Sequence, residues 1–377
     1  MGERVRALDA LIGVAFNFSA GLAGTHSHRQ IARIREEAPM GGGVPYNCGM
    51  SPADPTQLDP DFHAYDLIGD VHGCADALFA LLDGMGYRKV HGVWRNPERI
   101  ALFTGDLIDR GPAVRETVLR VRDMMDAGAA QVVLGNHEYN LAGWFFQAPP
   151  DSGREWLRPH TQRNERGLAE TLDAFAGHPG DLAATLAWIH AMPLWLESPA
   201  LRVIHACWDE ALMAQFRAAH DERVLDRSLA RAACYRGSLP RRFLDRILNG
   251  TELELPEARV MRGRDGLQRR FFRTAFWKRA AETLGDVAFQ PDPLPQDIQV
   301  QALDEDARER LLSYPVDAPP VFFGHYWRSG TPALQAHNVC CLDYSMVLGG
   351  RLVAYRFDGE RELDPDRFTW IELPPAQ

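Results

Sequence analysis

The sequence predicts an α/β domain beginning near residue 63, and three observations carry that expectation. Short apolar runs (DLIGD, IALFTGD, QVVLGN, LRVIHA, PVFFGH) alternate with stretches of helical spacing, the order expected of strands and helices packed in layers. Each run ends at a residue able to do chemistry: Asp70, Asp106, Asn136, His205 or His325. The 377 residues, 46% hydrophobic and 24% charged, suffice for a large core without disulfides.

Residues 1–62 read as a flexible N-terminal extension, because PMGGGVPYNCGMSPADPTQLDP has too much Gly and Pro for a regular element. The first residues, MGERVRALDALIGVAFNFSAGLAG, imitate a signal peptide only loosely, since Asp9 and Asn17 interrupt the apolar middle, and Met50 offers a second start. Residues 63–377 read as one domain. After the first strand, Ala75 to Met85 has helical spacing. After the second, Pro112 suits a helix start and the pattern runs to about Asp126. The stretch Tyr139 to Met192 reads as helical, with Trp144, Phe145, Phe146, Trp156 and Trp188 as packing residues. More chain lies between His205 and His325 than one strand and helix need. Helical patterns near 221–234 and 240–248, an Arg-rich stretch (Arg259, Arg262, Arg264, Arg269, Arg270, Arg273) and PDPLPQD predict a helical insertion over about 210–318, placed to roof a site. A solvated face is the plainer account of those arginines. The tail supplies CLDYS and GGRLVAYRF, which predict a hairpin joined at Gly349-Gly350 that completes the sheet.

Composition excludes some roles. A net charge of −10 argues against binding nucleic acid duplex or anionic membrane, and no apolar run approaches the roughly 18 residues a span requires. Six cysteines without CxxC spacing read as buried free thiols of a reducing, cytoplasmic compartment. Cys74 and Cys207 neighbour the loaded segments but read as packing rather than ligands.

Ligands of open α/β sheets gather at the carboxyl ends of strands, so the five segments are expected on one rim. Asp70 and His72, one residue apart, can face one ion; Asp106 can bridge two; Asn136, His205 and His325 complete the second. Carboxylate, amide and imidazole together suit Mn²⁺ first, with Fe or Zn²⁺ as alternatives. Two cations about 3.5 to 4 Å apart would hold a bridging water as hydroxide for in-line attack on phosphorus. His137, next to a ligand, is placed to protonate the leaving group, with Asp109 orienting its ring. Arg110 and Asn136 can hold the substrate, Arg110 through its planar fork on phosphate oxygens. Glycine before four of these residues (Gly69, Gly105, Gly135, Gly324) permits close approach at the strand ends. Any one motif is weak. A purely structural account would have to place several costly buried acids together without a cation.

The ordered set GDVHG (69–73), GDLIDRG (105–111), GNHE (135–138), a lone His and GH resembles the calcineurin-like metallophosphoesterases, in their phosphoprotein phosphatase branch, over about Tyr65 to Asp358. That resemblance implies a β-sandwich flanked by helices. It implies Asp70, His72 and Asp106 on a first metal, and Asp106, Asn136, His205 and His325 on a second. It also implies a His137–Asp109 proton-donor pair and Arg110 as a phosphate clamp. Trp327 stands where nucleases and phosphodiesterases carry a second His, and Asp109 where purple acid phosphatases carry Tyr, so both of those branches fall away. IHACWDE departs from the HG or HAG run of the protein phosphatases. LDYSMVLGGRLVAYRFDGE resembles the tail of bacterial diadenosine tetraphosphatase-like and PrpE-like enzymes, with Tyr344 and Ser345 in place of small residues. The expected activity is hydrolysis of phosphate mono- or polyphosphate esters, on a bis(5'-nucleosyl)-tetraphosphatase pattern. A serine/threonine protein phosphatase acting on phosphoproteins is the alternative, and a metal-binding regulatory module without turnover is another. Trp208, Trp327 and the Arg-rich insertion are candidates to line a nucleotide pocket.

Overall fold

The structure is a computed structural model that describes residues 57–59, 62, 64–221, 223–262, 268–289 and 294–372. The extension over 1–62, the signal-like start and Cys48 lie outside the described residues, apart from 57–59 and 62. From the first strand the chain runs β1 (Tyr65–Ile68), α1 (Ala75–Gly84), a hairpin of β2 (Arg88–Val90) and β3 (Val93–Arg95), β4 (Ile100–Phe103), α2 (Val114–Asp126), β5 (Ala130–Val132) and α3 (Asn136–Phe145). Helices α4 (Gln162–Gly167), α5 (Ala169–Phe175) and α6 (Pro179–Ala191) follow, then β6 (Trp195–Glu197) and β7 (Arg202–Ile204). Helix α2 begins at Val114, two residues after Pro112, and buries Val114, Thr117, Val118, Val121 and Met124, the 3–4 spacing of one helical face.

The segment expected to be helical over 210–318 is mixed, which corrects that reading. It opens with α7 (Glu210–Ala219), α8 (Arg227–Ala232) and α9 (Leu239–Asn249), then turns to strands β8 (Thr251–Glu254), β9 (Met261–Arg262), β10 (Gln268–Arg269) and β11 (Phe271–Thr274), and ends in short helices α10 (Leu284–Val287), α11 (Gln296–Gln299) and α12 (Glu305–Arg310). The alternation Thr251 in, Glu252 out, Leu253 in, Glu254 out has a period of two and pairs antiparallel with β11. Helix α7 went unpredicted although Asp209 caps it, accepting from the Leu212 amide at 3.1 Å. Helix α8 is shorter than 221–234 because its cap, Asp226, comes late. Of the Arg-rich stretch, Arg264 lies outside the described residues. Arg259 pairs with Asp297, Arg270 with Glu254 at 3.3 Å, and Arg273 turns inward, so the stretch is not one face.

The last strands are β12 (Val321–Phe323), β13 (Val339–Cys341), β14 (Asp343–Tyr344), β15 (Arg351–Phe357) and β16 (Phe368–Ile371). One sheet has the order β14-β15-β1-β4-β5, with β16 also on β15, and the other β13-β12-β7-β6. The expected tail hairpin forms, with Asp343 opposite Leu352 and Tyr344 opposite Arg351, and it places β15 antiparallel to β1. Between the sheets Leu67, Leu102, Val133 and Tyr355 meet Leu196, Val203, Phe322 and Cys340. Alternate residues of the same strands (Ile68, Phe103, Val132, Ile204, Phe323) join the helix-side core with Leu78, Val118 and Phe243. Trp144, Phe145 and Phe146 are buried in that core, as expected of packing residues. The result is a two-sheet β-sandwich between helical layers.

Candidate metal centre

Strands β1, β4 and β5 are mutually parallel, as are β7 and β12, so their carboxyl ends lie together. The chain leaving those ends carries Asp70, Asp106, Asn136, His205 and His325, and the side chains converge. Ligand-type atoms of His72, Asp106 and His137 lie within 4.8 Å of one another, and so do those of Asp106, His205 and His325. Asp106 belongs to both trios, the position a bridging carboxylate occupies. Asn136 Oδ1 sits 2.9 Å from His205 Nε2 and 2.8 Å from His325 Nδ1. Asp70 falls outside both trios. Its Oδ1 accepts from the Thr104 hydroxyl at 3.1 Å and its Oδ2 from the His325 amide at 3.0 Å.

Backbone carbonyls set the imidazole tautomers. His72 Nδ1 donates to Ile108 O at 2.8 Å and His205 Nδ1 to Thr104 O at 2.7 Å, which leaves a lone pair on each Nε2. His72 Nε2 is buried without a partner, and so is His325 Nε2. The lone pair of His205 Nε2 faces a carbonyl oxygen of Asn136, two acceptors with nothing to donate between them. Burial holds His72 down to about 3, helped by the charge of His137, and burial also lowers His205 and His325. These rings are therefore neutral at physiological pH, the form that ligates. Two of the acids tell the same story from the other sign, while the neighbouring imidazoles hold Asp106 below the carboxylate range. Burial, then the charges of Asp343 and Asp106, pushes Asp70 well above the carboxylate range, and burial lifts Asp343 to about 6. Asp106 facing the lone-pair nitrogens of His72 and His205, with Asp70 and Asp343 buried beside it, forms a donor set that divalent cations fit and water-free protein does not.

His137 Nδ1 lies 2.5 Å from Asp109 Oδ2, and the other Asp109 oxygen accepts from the Thr171 hydroxyl. Burial pulls His137 down, but Asp106 and the Asp109 hydrogen bond outweigh it, so the ring holds its proton above the usual range. Arg110 Nη2 approaches His137 Nε2 to 3.2 Å, and the guanidinium lies 4.7 Å over the Trp327 ring. Trp208 is not a pocket residue. It is 1% exposed, donates to Glu210 at 2.9 Å and carries Arg202 over its ring at 4.5 Å. Burial raises Cys74 to about 11 and also raises Cys207, which keeps both as thiols.

Backbone strain concentrates here. His72, Asp106, Asp109, Arg110 and His325 are five of the ten described non-glycine residues with positive φ, each costing on the order of 1 kcal/mol. Glycine is required by contact at these strand ends. A Cβ at Gly324 would meet Asp70 Oδ1 at 1.8 Å, and one at Gly135 would meet Asp106 Oδ1 at 2.3 Å. Sequence reasoning missed four supporting residues. Glu138, inside GNHE, accepts from the Asp106 and Leu107 amides at 2.9 and 2.8 Å, and Thr104 precedes Gly105. Asp343 lies in LDYS, so its motif was visible though its role was not. Thr171, 62 residues from Asp109, carried no signal.

Residues 65–225, which carry Asp70, His72, Asp106, Asn136 and His205, match the calcineurin-like phosphoesterase family model. The chain is 45% identical over 74 residues to the asymmetrical bis(5'-nucleosyl)-tetraphosphatase PrpE of Halalkalibacterium halodurans, a match spanning 19% of this chain and 30% of that relative's length. It is 26% identical over 316 residues to the symmetrical bis(5'-nucleosyl)-tetraphosphatase of Neisseria meningitidis serogroup A, covering 79% of this chain and 93% of the relative. Among solved structures, a serine/threonine protein phosphatase of Saccharomyces cerevisiae aligns at 14% identity and a TM-score of 0.43, over 84% of this chain and 82% of its own.

Proposed function

We propose that the protein hydrolyses phosphate esters and anhydrides with two divalent cations, on the pattern of the bis(5'-nucleosyl)-tetraphosphatases. The observation that carries this reading is the pair of ligand trios sharing Asp106, with buried unpartnered Nε2 atoms on His72 and His325 beside the His137–Asp109 pair. In this reading Asp70, His72 and Asp106 hold one cation, and Asp106, Asn136, His205 and His325 the other, with Mn²⁺ the preferred metal for a mixed carboxylate, amide and imidazole set. The cations supply charge neutralisation at phosphorus and a water deprotonated near neutral pH. Asn136 and Arg110 orient the substrate. Arg110, held flat on Trp327, presents its fork to the phosphoryl oxygens and offsets the charge that grows there. His137, kept protonated by Asp109, delivers its Nε2 proton to the departing oxygen, and Asp109 is kept in place by Thr171.

A nucleoside polyphosphate is the substrate favoured by the relative aligned over 93% of its length. The thiols described, all free, accord with a cytoplasmic setting, and among the described residues no helix is long and apolar enough to cross a membrane. Purified protein with Mn²⁺ is expected to release p-nitrophenol from p-nitrophenyl phosphate, and Asp106→Asn or His72→Ala to abolish release. Full activity in either variant overturns the assignment. Turnover of diadenosine tetraphosphate is expected to exceed that of a phosphoserine peptide; the reverse order would make the protein a serine/threonine phosphatase.

A further inference from the structure

The insertion carries a cleft of about 710 Å³ between α7, α9 and the β8–β11 pair, lined by Asp209, Arg241, Arg242, Arg246, Glu252 and Arg273 among others. Its inner wall touches the metal rim. Arg273 Nη1 donates to the backbone oxygen of His325 at 3.3 Å, its guanidinium stands 5.4 Å from the Tyr326 ring centre, and its Nε is buried without a partner. The guanidinium is thus held in one place by a backbone and a ring, not by an acid. Two other arginines of the cleft are neutralised within it, Arg246 by Asp209 at 3.1 Å and Arg241 by Asp245 at 2.6 Å. Arg242 and Arg273 form no ion pair among the described residues. Four arginines against three acids (Asp209, Asp245, Glu252) give the lining a positive excess on a chain of net charge −10.

We propose that this cleft is a second anion site, in which Arg273 and Arg242 hold the phosphates of the substrate that lie beyond the one being cleaved. The inference rests on the phosphoesterase reading and deepens it by naming where the remaining phosphates go: the chain is gripped at Arg110 on the His137 side of the metal centre and at Arg273 on the His325 side. A guanidinium fork matches phosphate oxygens two at a time, and a desolvated one with a free N–H gains most from an anion. A monoester of a neutral alcohol would leave this cleft without a complementary group. A chain of phosphates fills it with one.

The test is calorimetric titration of the full-length protein, freed of divalent cations, with inorganic tripolyphosphate and, separately, orthophosphate. Tripolyphosphate is expected to bind more tightly than orthophosphate. Arg273→Gln is expected to weaken tripolyphosphate about tenfold and Arg242→Gln about threefold, the loss of one charge-assisted contact each, with a smaller loss for orthophosphate. Arg242 is exposed, so its variant folds and decides the matter if Arg273→Gln does not. Equal losses for the two anions, or wild-type affinity for tripolyphosphate in Arg242→Gln, overturn the second site. Because the readout needs no turnover, a protein that binds tripolyphosphate in this way yet hydrolyses nothing would refute the enzyme reading and leave the cleft assignment standing.

Discussion

His137 is the residue whose geometry admits two jobs. Its ring joins His72 and Asp106 in a trio that a cation could use, yet its Nδ1 is committed to Asp109 and its Nε2 faces Arg110. A ligand nitrogen must offer a lone pair, whereas Asp106 and the hydrogen bond to Asp109 keep this ring protonated above its usual range. Donor is therefore the assignment. His137→Gln is expected to keep the wild-type metal content by elemental analysis and to lower kcat by about 10² to 10⁴. The loss should be smaller for p-nitrophenyl phosphate, whose leaving group needs no proton, than for an alkyl phosphate. A fall in bound metal with uniform loss across leaving groups would make His137 a ligand instead.

At the scale of elements, the parallel pairing of β1 with β4 and β5, and of β7 with β12, turns a list of motifs into a site. A one-residue slip in any of these strands would exchange its core-facing and helix-facing residues. Much of this was legible. Apolar runs ending in Gly-Asp, Gly-Asn and Gly-His gave the strands, their ends and the rim, because buried parallel strands are apolar on both faces and their last residue is the polar one. The insertion was legible only in part. Its α9 announces itself with Ser238 as cap, Pro240 at the start and Gly250 at the end, but β8 to β11 are short, half-exposed and stabilised by their own small core of Leu253, Leu255, Phe272 and Ile298, which no local pattern foretells. Thr171 on α5 was illegible for a related reason, since only the packing of α5 against α2 brings it to Asp109. Gly324→Ala drives a methyl group to within 1.8 Å of Asp70 Oδ1, so β12 or Asp70 must move. Activity with Mn²⁺ is expected to fall by more than about tenfold, since a displacement near 1 Å at a reacting centre costs that much or more, while circular dichroism stays native. Unchanged activity would show that Asp70 is free to shift and is not held as a ligand.

The whole molecule concentrates its unfavourable terms at the rim. Five left-handed non-glycine residues, three buried acids in one cluster and two unpartnered imidazole nitrogens stand at the top of a sandwich whose core is otherwise apolar. A fold tolerates such a region when something binds it in the native state and not in the unfolded chain. Divalent cations meet that condition, since the six proposed ligands are scattered from Asp70 to His325 and come together only on folding. Stabilisation by a bound cation follows its concentration, reaching about 2.7 kcal/mol at a hundred times the dissociation constant. The melting temperature of the metal-stripped protein is therefore expected to rise by several degrees on titration with Mn²⁺ and to fall back with chelator. Asp106→Asn separates this from nonspecific salt effects. It removes a carboxylate that the neighbouring imidazoles hold in its charged form, so without metal it should melt at or below the stripped wild type, and with Mn²⁺ it should gain much less. A wild-type melting curve indifferent to Mn²⁺, Fe and Zn²⁺ alike would mean that the protein itself neutralises the cluster, by protonating Asp70 and Asp343, and that the rim is not a metal centre.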